Sequence, residues 1–501
     1  MNEERSWLLV ALALALLAGL ARLPESGLQF LDSWCYARVA AEMAGSTDWV
    51  VPTWRGEPFL EKPPLLFWLT AALYRIFGVS EYAARALAGG ATAGCVALLF
   101  WIGRRASGAP TGLLAVLLVC LTPMFLKWGR TYTTDPLFAL LNLAALACGW
   151  LAAVNPAAWL LAGGLAALAV LTRGAAAAPL LLALLGLVFL GGRKGAGAGR
   201  ERAWALAGAF LFLALALPWH LLALSEMGPA FLRTYIGAHT IERLQVNLID
   251  SPRAHDPLYY PLHLLRTAWP ALPLLALGLA RLRRAWRPAI EPAGRLDRAL
   301  LIFVAAQALM LAVVASRSPR YLLPLYPVLA LLAARGLAHG LGAHGAQRLR
   351  RWSATGAAAA VLAVGVWPAP LGTPRGKPFR DLAAAVKRQE PEAHLQVQAA
   401  LVDPWFERAF WFYLGRAPVA VSEADMGCAG PGPRARAGRG GAAASAAVVL
   451  QVERAERAEV CRPPGCRVLE RTAGLVLTRR SCRAPSGAGG EGALTPSGDS
   501  L

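Results

Sequence analysis

Long apolar runs of Leu, Ala and Val alternate with short polar breaks along most of the chain. The first runs from Trp7 to Leu23. A polar stretch from Glu25 to Arg85 follows, containing an amphipathic helix near Ser33–Met43 and a semi-apolar piece at Leu65–Phe77. Further apolar runs lie at 84–103, 110–126, 134–154, 157–171, 175–192, 203–224, 258–280, 299–315, 320–337 and 354–370. A helix needs about 20 mostly apolar residues to cross hydrocarbon, so the pattern predicts about eleven spans. The first run is read as a span and not a signal peptide, because Glu3, Glu4 and Arg5 head it and no small-x-small cleavage site precedes Pro24. Residues 373–480 change character: helical stretches at Phe379–Arg388 and Trp405–Leu414 alternate with extended runs at Leu395–Val402, Ala446–Val452 and Leu475–Thr478. That alternation predicts a small α/β domain outside the membrane. Residues 481–501, rich in Gly, Ser, Pro and Ala, are expected to be a disordered tail. The expected architecture is thus a membrane domain over 1–372, the α/β domain over 373–480, and the tail, with no internal repeat.

Composition agrees with the pattern. Of 501 residues, 56% are hydrophobic and 16% charged, against about a quarter charged in soluble chains. The net charge of +20 raises the question of nucleic acid. Its placement answers it. The basic residues cluster in short loops between apolar runs: Arg104-Arg105, then Arg193-Lys194 to Arg202, Arg281 to Arg287, and Arg348 to Arg351. Every cluster falls on the side that a cytoplasmic N-terminus would make cytoplasmic, so these are topology signals and no nucleic-acid partner is expected. In the opposite loops, 24–83, 127–134, 172–174, 225–257, 316–319 and the tail, basic residues are fewer for the length and acidic residues concentrate. Cys95, Cys120 and Cys148 lie inside apolar runs as small core residues. Cys428, Cys461, Cys466 and Cys482 lie in the polar C-terminal region and show no zinc spacing; disulfides and free thiols both remain open for them.

Five polar motifs face that second compartment, each at a membrane entrance. The loop after the first span carries Asp32, Arg38 and Glu42, then Asp48-Trp49, then Glu61-Lys62-Pro63-Pro64. Proline fixes φ, so Glu61 and Lys62 are expected in a stiff, extended presentation; the bland alternative is a solvated loop. Thr133-Thr134-Asp135-Pro136 opens an apolar run, where Asp135 caps the helix or serves a site. Thr172-Arg173-Gly174 is a tight turn or a charged break. The loop 225–257 holds His255, a metal ligand, a proton carrier or a solvated residue. Ser316-Arg317-Ser318-Pro319-Arg320-Tyr321 offers two guanidinium groups that suit a phosphate or snorkel to the interface. Carboxylates, a Lys, several Arg and a Tyr on one face fit an anionic, lipid-linked substrate. A transporter or lipid flippase is the rival reading, but its polar sites belong near mid-membrane on repeated halves.

The order Asp32, Tyr36-Ala37, Glu42-Met43, Asp48-Trp49-Val50-Val51-Pro52, Phe59-Leu60-Glu61-Lys62-Pro63-Pro64, Phe77-Gly78-Val79 and Arg85 resembles glycosyltransferase family 39. Within it the likeness is to the bacterial lipid A aminoarabinose transferases and the dolichyl-phosphate-mannose-protein mannosyltransferase-like proteins. Asp135-Pro136, Thr172-Arg173-Gly174, Pro218-Trp219 and Tyr321-Leu322-Leu323-Pro324 fall in the same order, so the likeness covers roughly residues 1–340. The resemblance implies a mainly α, polytopic GT-C fold. It implies an inverting glycosyltransferase of the bacterial inner membrane that takes a sugar from a polyprenyl-phosphate donor, undecaprenyl phosphate, and passes it to a glycolipid or protein acceptor at the periplasmic face. It implies Asp32 and Asp135 as catalytic residues, and Lys62, Arg38, Arg317, Arg320 and Tyr321 at the donor phosphate. Glu61 and His255 match positions that hold a divalent metal in relatives. Ser33 and Cys35 depart from the family's Glu and Arg, Arg173 replaces its Lys, and His220 its Tyr.

Overall fold

The computed structural model describes residues 3–21, 28, 31–190, 196–242, 256–268, 272–284, 292–315, 317–338 and 356. In the C-terminal part it describes 383–384, 388, 394–398, 412–413, 419–421, 448–454, 466–472 and 475–481. The chain divides into two compact units, Met1–Arg375 and Gly376–Leu501.

The first unit is helical. Its long elements are α1 (Glu3–Leu20), α2 (Leu31–Gly45), α3 (Leu65–Phe77), α4 (Glu81–Ser107), α5 (Ala109–Cys120), α6 (Pro123–Gly129) and α7 (Thr134–Leu151). They continue with α8 (Ala158–Arg173), α9 (Ala178–Leu190), α10 (Ala196–Met227), α11 (Tyr259–Thr267), α12 (Leu272–Arg284), α13 (Pro292–Val313) and α14 (Leu325–Ala338). Six helical stretches among the described residues are long and apolar enough to cross a membrane, and eight if each bent pair counts as one span. The protein is a multi-pass membrane protein. The bent pairs mark where single straight runs were expected: α5 and α6 meet at 78°, and the pair at Tyr259–Thr267 and Leu272–Arg281 at 111°. Pro123 at the start of α6 explains the first break, since its ring removes a backbone donor and cannot continue the preceding turn. The expected run 354–370 lies outside the described residues apart from Gly356.

Burial separates centre from periphery. Leu331, Leu332, Ala333 and Ala334 of α14 are fully buried, whereas Leu206 and Phe210 of α10 are 71% and 74% exposed. Exposed large apolar side chains on a long apolar helix are a lipid-facing surface. Lipid tails are as apolar as Leu, so packing between spans depends on close approach of small residues. A Cβ added to Gly163 of α8 would collide with the backbone carbonyl of Gly208 on α10, and Gly19 of α1 meets Gly89 of α4 in the same way. Gly163→Ala is therefore expected to lower the thermal unfolding midpoint of the detergent-solubilised protein, through about 1–3 kcal/mol of overpacking. Gly164→Ala is the control, because its Cβ would find only ordinary contact at 3.8 Å with Leu211.

One end of the bundle is closed by buried ion pairs. Arg335 of α14, with no side-chain exposure, donates through Nε and Nη2 to the two oxygens of Asp297 on α13, at 2.6 and 3.0 Å. Its Nη1 donates to Ser107 Oγ at the end of α4, at 2.7 Å. Nearby in sequence, Arg295 pairs with Glu201 of α10, which also accepts from Trp159 Nε1. Helix directions place the start of α7, the end of α8 and the start of α14 at the other end.

In the second unit the described strands are β3 (His394–Gln398), β4 (Val419–Val421), β5 (Val448–Arg454), β6 (Cys466–Thr472) and β7 (Leu475–Ser481), β1 and β2 being a small hairpin in the first unit, Thr53–Trp54 and Glu57–Pro58. They form one mixed sheet in the order β4-β3-β5-β7-β6, with β3 parallel to both neighbours and β7 antiparallel to both of its own. The expected helices at 379–388 and 405–414 fall mostly outside the described residues, as do Cys428, Cys461 and Cys482.

Candidate active site

The loop after α1 is a built scaffold. Asp48 accepts from Val50 N at 2.7 Å, the carbonyl of Trp49 accepts from Trp68 Nε1 at 2.7 Å, and that of Val50 from Trp219 Nε1 at 2.8 Å. The loop is thereby tied to α3 and α10. The hairpin β1–β2 turns through Arg55 and Gly56, both at positive φ (61° and 79°); two such residues match the right-handed twist of the strands. Glu42 holds its tip, accepting from Thr53 Oγ1, Arg55 N and Gly56 N, and pairs with Arg38 at 3.1 Å. Behind the hairpin the rings of Tyr36, Phe59 and Phe67 pack edge to face. The chain then bends at Glu61 and Lys62, where an extended presentation was expected, and Pro64 is already helical (φ −84°, ψ −13°) as the cap of α3.

Two carboxylates converge at helix starts. Asp32 lies in the first turn of α2 and Asp135 in the first turn of α7, where the helix dipole favours negative charge. Arg320, in a single tight turn at Pro319–Leu322, bridges them: Nη2 lies 2.7 Å from Asp32 Oδ2 and Nε 3.8 Å from Asp135 Oδ2. Arg173, the last residue of α8, pairs with the other oxygen of Asp135. The ring of Tyr321 lies under both guanidinium groups, 4.9 Å from that of Arg173 and 5.8 Å from that of Arg320. Two carboxylates thus meet two guanidinium groups, and exposure divides their work. The Asp135 side chain is 1% exposed and locked between both cations, while that of Asp32 is 23% exposed and reachable.

A cavity of about 310 Å³ opens beside this network, lined by Glu61, Lys62, Arg173, Tyr235, Gln307 and Tyr321 among others. Gly174 makes room for it: its φ of +60° suits glycine, and a Cβ there would meet the Tyr235 hydroxyl. Burial pushes the Tyr235 phenol up, so it stays protonated. His220 Nδ1 faces the carbonyl of Ala216 at 2.8 Å, which can only accept, so Nδ1 carries the proton. Nε2 lies within hydrogen-bond distance of the Tyr235 hydroxyl, 3.3 Å away.

Asp32, Asp135, Arg320 and Tyr321 are therefore brought together, and Lys62 and Glu61 share with Arg173 and Tyr321 the wall of the adjoining cavity. Arg38 is placed against Glu42, at the hairpin. Arg317 is 5% exposed, its guanidinium over Tyr260 and Tyr259 at 5.6 and 6.0 Å. His255 lies outside the described residues. Among the described residues no group of three or more His, Cys, Asp or Glu side chains could hold a metal. Glu61 by itself is an incomplete donor set for a metal. Tyr235 and Gln307 escaped the sequence reading. Gln307 left a trace there, a lone amide inside an apolar run.

Three comparisons bear on this geometry. The family profile described as dolichyl-phosphate-mannose-protein mannosyltransferase matches residues 61–221. The undecaprenyl phosphate-alpha-4-amino-4-deoxy-L-arabinose arabinosyl transferase of Edwardsiella ictaluri is 28% identical over 349 residues, 67% of this chain and 60% of that protein. The chain resembles the lipid A aminoarabinose transferase family. The transferase of the same name from Pseudomonas savastanoi pv. phaseolicola is 27% identical over 348 residues, 68% of this chain and 62% of that one. The chain thus spans about 60% of the length of these relatives. Its fold is that of the crystal structure of ArnT from Cupriavidus metallidurans bound to undecaprenyl phosphate, with a TM-score of 0.69, 19% identity, and coverage of 97% of this chain and 99% of that one. Lys62, Asp135 and Arg173 lie within the stretch that the profile matches, and Asp32 and Arg320 lie outside it.

Proposed function

We propose that the chain is an inverting glycosyltransferase that moves a sugar from a polyprenyl-phosphate donor to an envelope acceptor, a lipid A-like glycolipid or a protein, at the periplasmic face of the bacterial inner membrane. The observation that carries this is the Asp32–Arg320–Asp135–Arg173 network, which reaches through Arg173 and Tyr321 the cavity that Lys62 also lines, on the end of the bundle opposite the buried ion pairs of Arg335 and Arg295. In this reading about eleven helices span the bilayer and the C-terminal unit is a small extracytoplasmic α/β domain. The names of the relatives support undecaprenyl phosphate as the carrier.

The donor phosphate lies against Lys62 and Arg173, whose charges neutralise the negative charge that builds on it as the glycosidic bond breaks. The acceptor enters at Asp32, the exposed carboxylate, which orients the attacking oxygen and takes its proton. Arg320 fixes one oxygen of that carboxylate and Asp135 fixes Arg320, so Asp135 acts as a positioning residue. An acceptor that is itself a phosphate needs no strong base, and Asp32 then chiefly positions it. Attack opposite the leaving phosphate inverts the anomeric centre.

Lys62→Met tests the donor assignment. Hydrogen bonds to charged groups contribute about 1.5–3 kcal/mol, so the affinity of the full chain in lipid nanodiscs for undecaprenyl phosphate is expected to fall roughly 10- to 100-fold. Unchanged affinity would remove Lys62 from the donor site.

A further inference from the structure

Gln307 belongs to no motif of the proposed reaction. It stands on α13, within the apolar stretch Gly294–Val313, where a polar side chain is costly. It is 2% exposed, and its Oε1 has no hydrogen-bond partner among the described residues. Yet it lines the cavity that Lys62 and Arg173 line, on the same helical face as Met310 and Leu311, three and four residues on. A buried amide oxygen left unsatisfied is rare in native proteins, and a ligand that completes it explains why it is kept.

We infer that Gln307 is a specificity-determining residue of the donor site, its amide pairing with a hydroxyl or amine of the sugar that the polyprenyl phosphate carries. The inference rests on the function proposed above. Chemistry separates the three parts of such a donor. The phosphate is drawn to Lys62 and Arg173, which carry full charge. The isoprenoid chain has no polar atom and would leave the amide as bare as before. A sugar offers groups that both donate and accept, as the amide does with one acceptor oxygen and two N–H donors. A site built to hydrogen-bond a substrate hydroxyl or amine discriminates strongly against a ligand lacking it, because its own buried polar group is then unpaired.

Gln307→Met keeps volume and flexibility and removes the amide, so the full chain in nanodiscs can be tested with two probes. These are undecaprenyl phosphate and the same lipid carrying 4-amino-4-deoxy-arabinose. Affinity for the bare lipid phosphate is expected to stay within about twofold of wild type, while affinity for the sugar-bearing lipid falls about tenfold or more, the size of one lost hydrogen bond. A parallel fall for both probes would mean that Gln307 only supports packing and would overturn the inference. Equal affinities in wild type and variant would mean that water completes the amide, and would overturn it as well. If the wild type binds neither lipid, the proposed function itself fails, and this inference with it.

Discussion

Asp32→Asn is expected to lower sugar transfer by about 10²- to 10⁴-fold, the usual contribution of a positioned proton acceptor, while leaving affinity for undecaprenyl phosphate close to wild type. The split follows from the geometry. Asparagine keeps the shape of the side chain and can still accept from Arg320, so the first turn of α2 and the Asp135–Arg173 pair need not move. What is lost is the negative charge at the most accessible member of the network, a carboxylate 23% exposed. Single-turnover transfer and lipid binding, measured on the same nanodisc preparation, check it. Turnover within a fewfold of wild type would remove Asp32 from the chemistry, and loss of lipid binding would move it to the donor site.

Asp135→Ala and Asp297→Ala are expected to destabilise the fold by similar amounts and to differ in function. Each removes a buried carboxylate from arginine partners. Arg320 and Arg173 would be stranded in the first case, and fully buried Arg335 in the second. Removing one partner of a buried pair costs about 3–5 kcal/mol, since the remaining charge has lost both water and its counterion. Both variants should show lower unfolding midpoints. Below those midpoints, Asp297→Ala should still bind undecaprenyl phosphate and transfer sugar, because its pair closes the opposite end of the bundle. Asp135→Ala should lose transfer, because Arg320 and Arg173 are no longer held in place. Replacing the whole pair, Asp297→Leu with Arg335→Met, should recover much of the lost stability. Equal activity in the two single variants would show that Asp135 acts only in folding.

The apolar runs were legible because they are a one-dimensional signal: a span is a length of hydrophobic chain. The helix after the first span illustrates this, its predicted Ser33–Met43 lying within Leu31–Gly45. So does the gathering of Asp32, Lys62, Asp135, Arg320 and Tyr321 at one face, which follows from counting spans between them. The motif Asp48-Trp49-Val50 was also visible, but its use was not. Its backbone carbonyls are anchor points for Trp68 and Trp219, which no local pattern reveals. The bends between α5 and α6 and beyond Thr267 were missed because hydropathy measures composition and is blind to direction.

Pairing among charges is a three-dimensional choice, and here helix packing made it. Arg38, Arg317 and Arg320 looked alike as phosphate ligands in the sequence. In the fold Arg38 is against Glu42, Arg317 is among tyrosines, and Arg320 bridges the two carboxylates, because each guanidinium joins whichever partners the packing of distant helices brings within reach. Residue order was enough to establish a membrane-embedded helical chain and to expect Asp32, Lys62, Asp135 and Arg320 at one face. Helix packing selected which carboxylate is exposed and which is locked. It also put Gln307, 275 residues after Asp32 in the chain, in the wall of a cavity shared with Lys62. Such contacts depend on how helices cross, and no local stretch of sequence encodes a crossing.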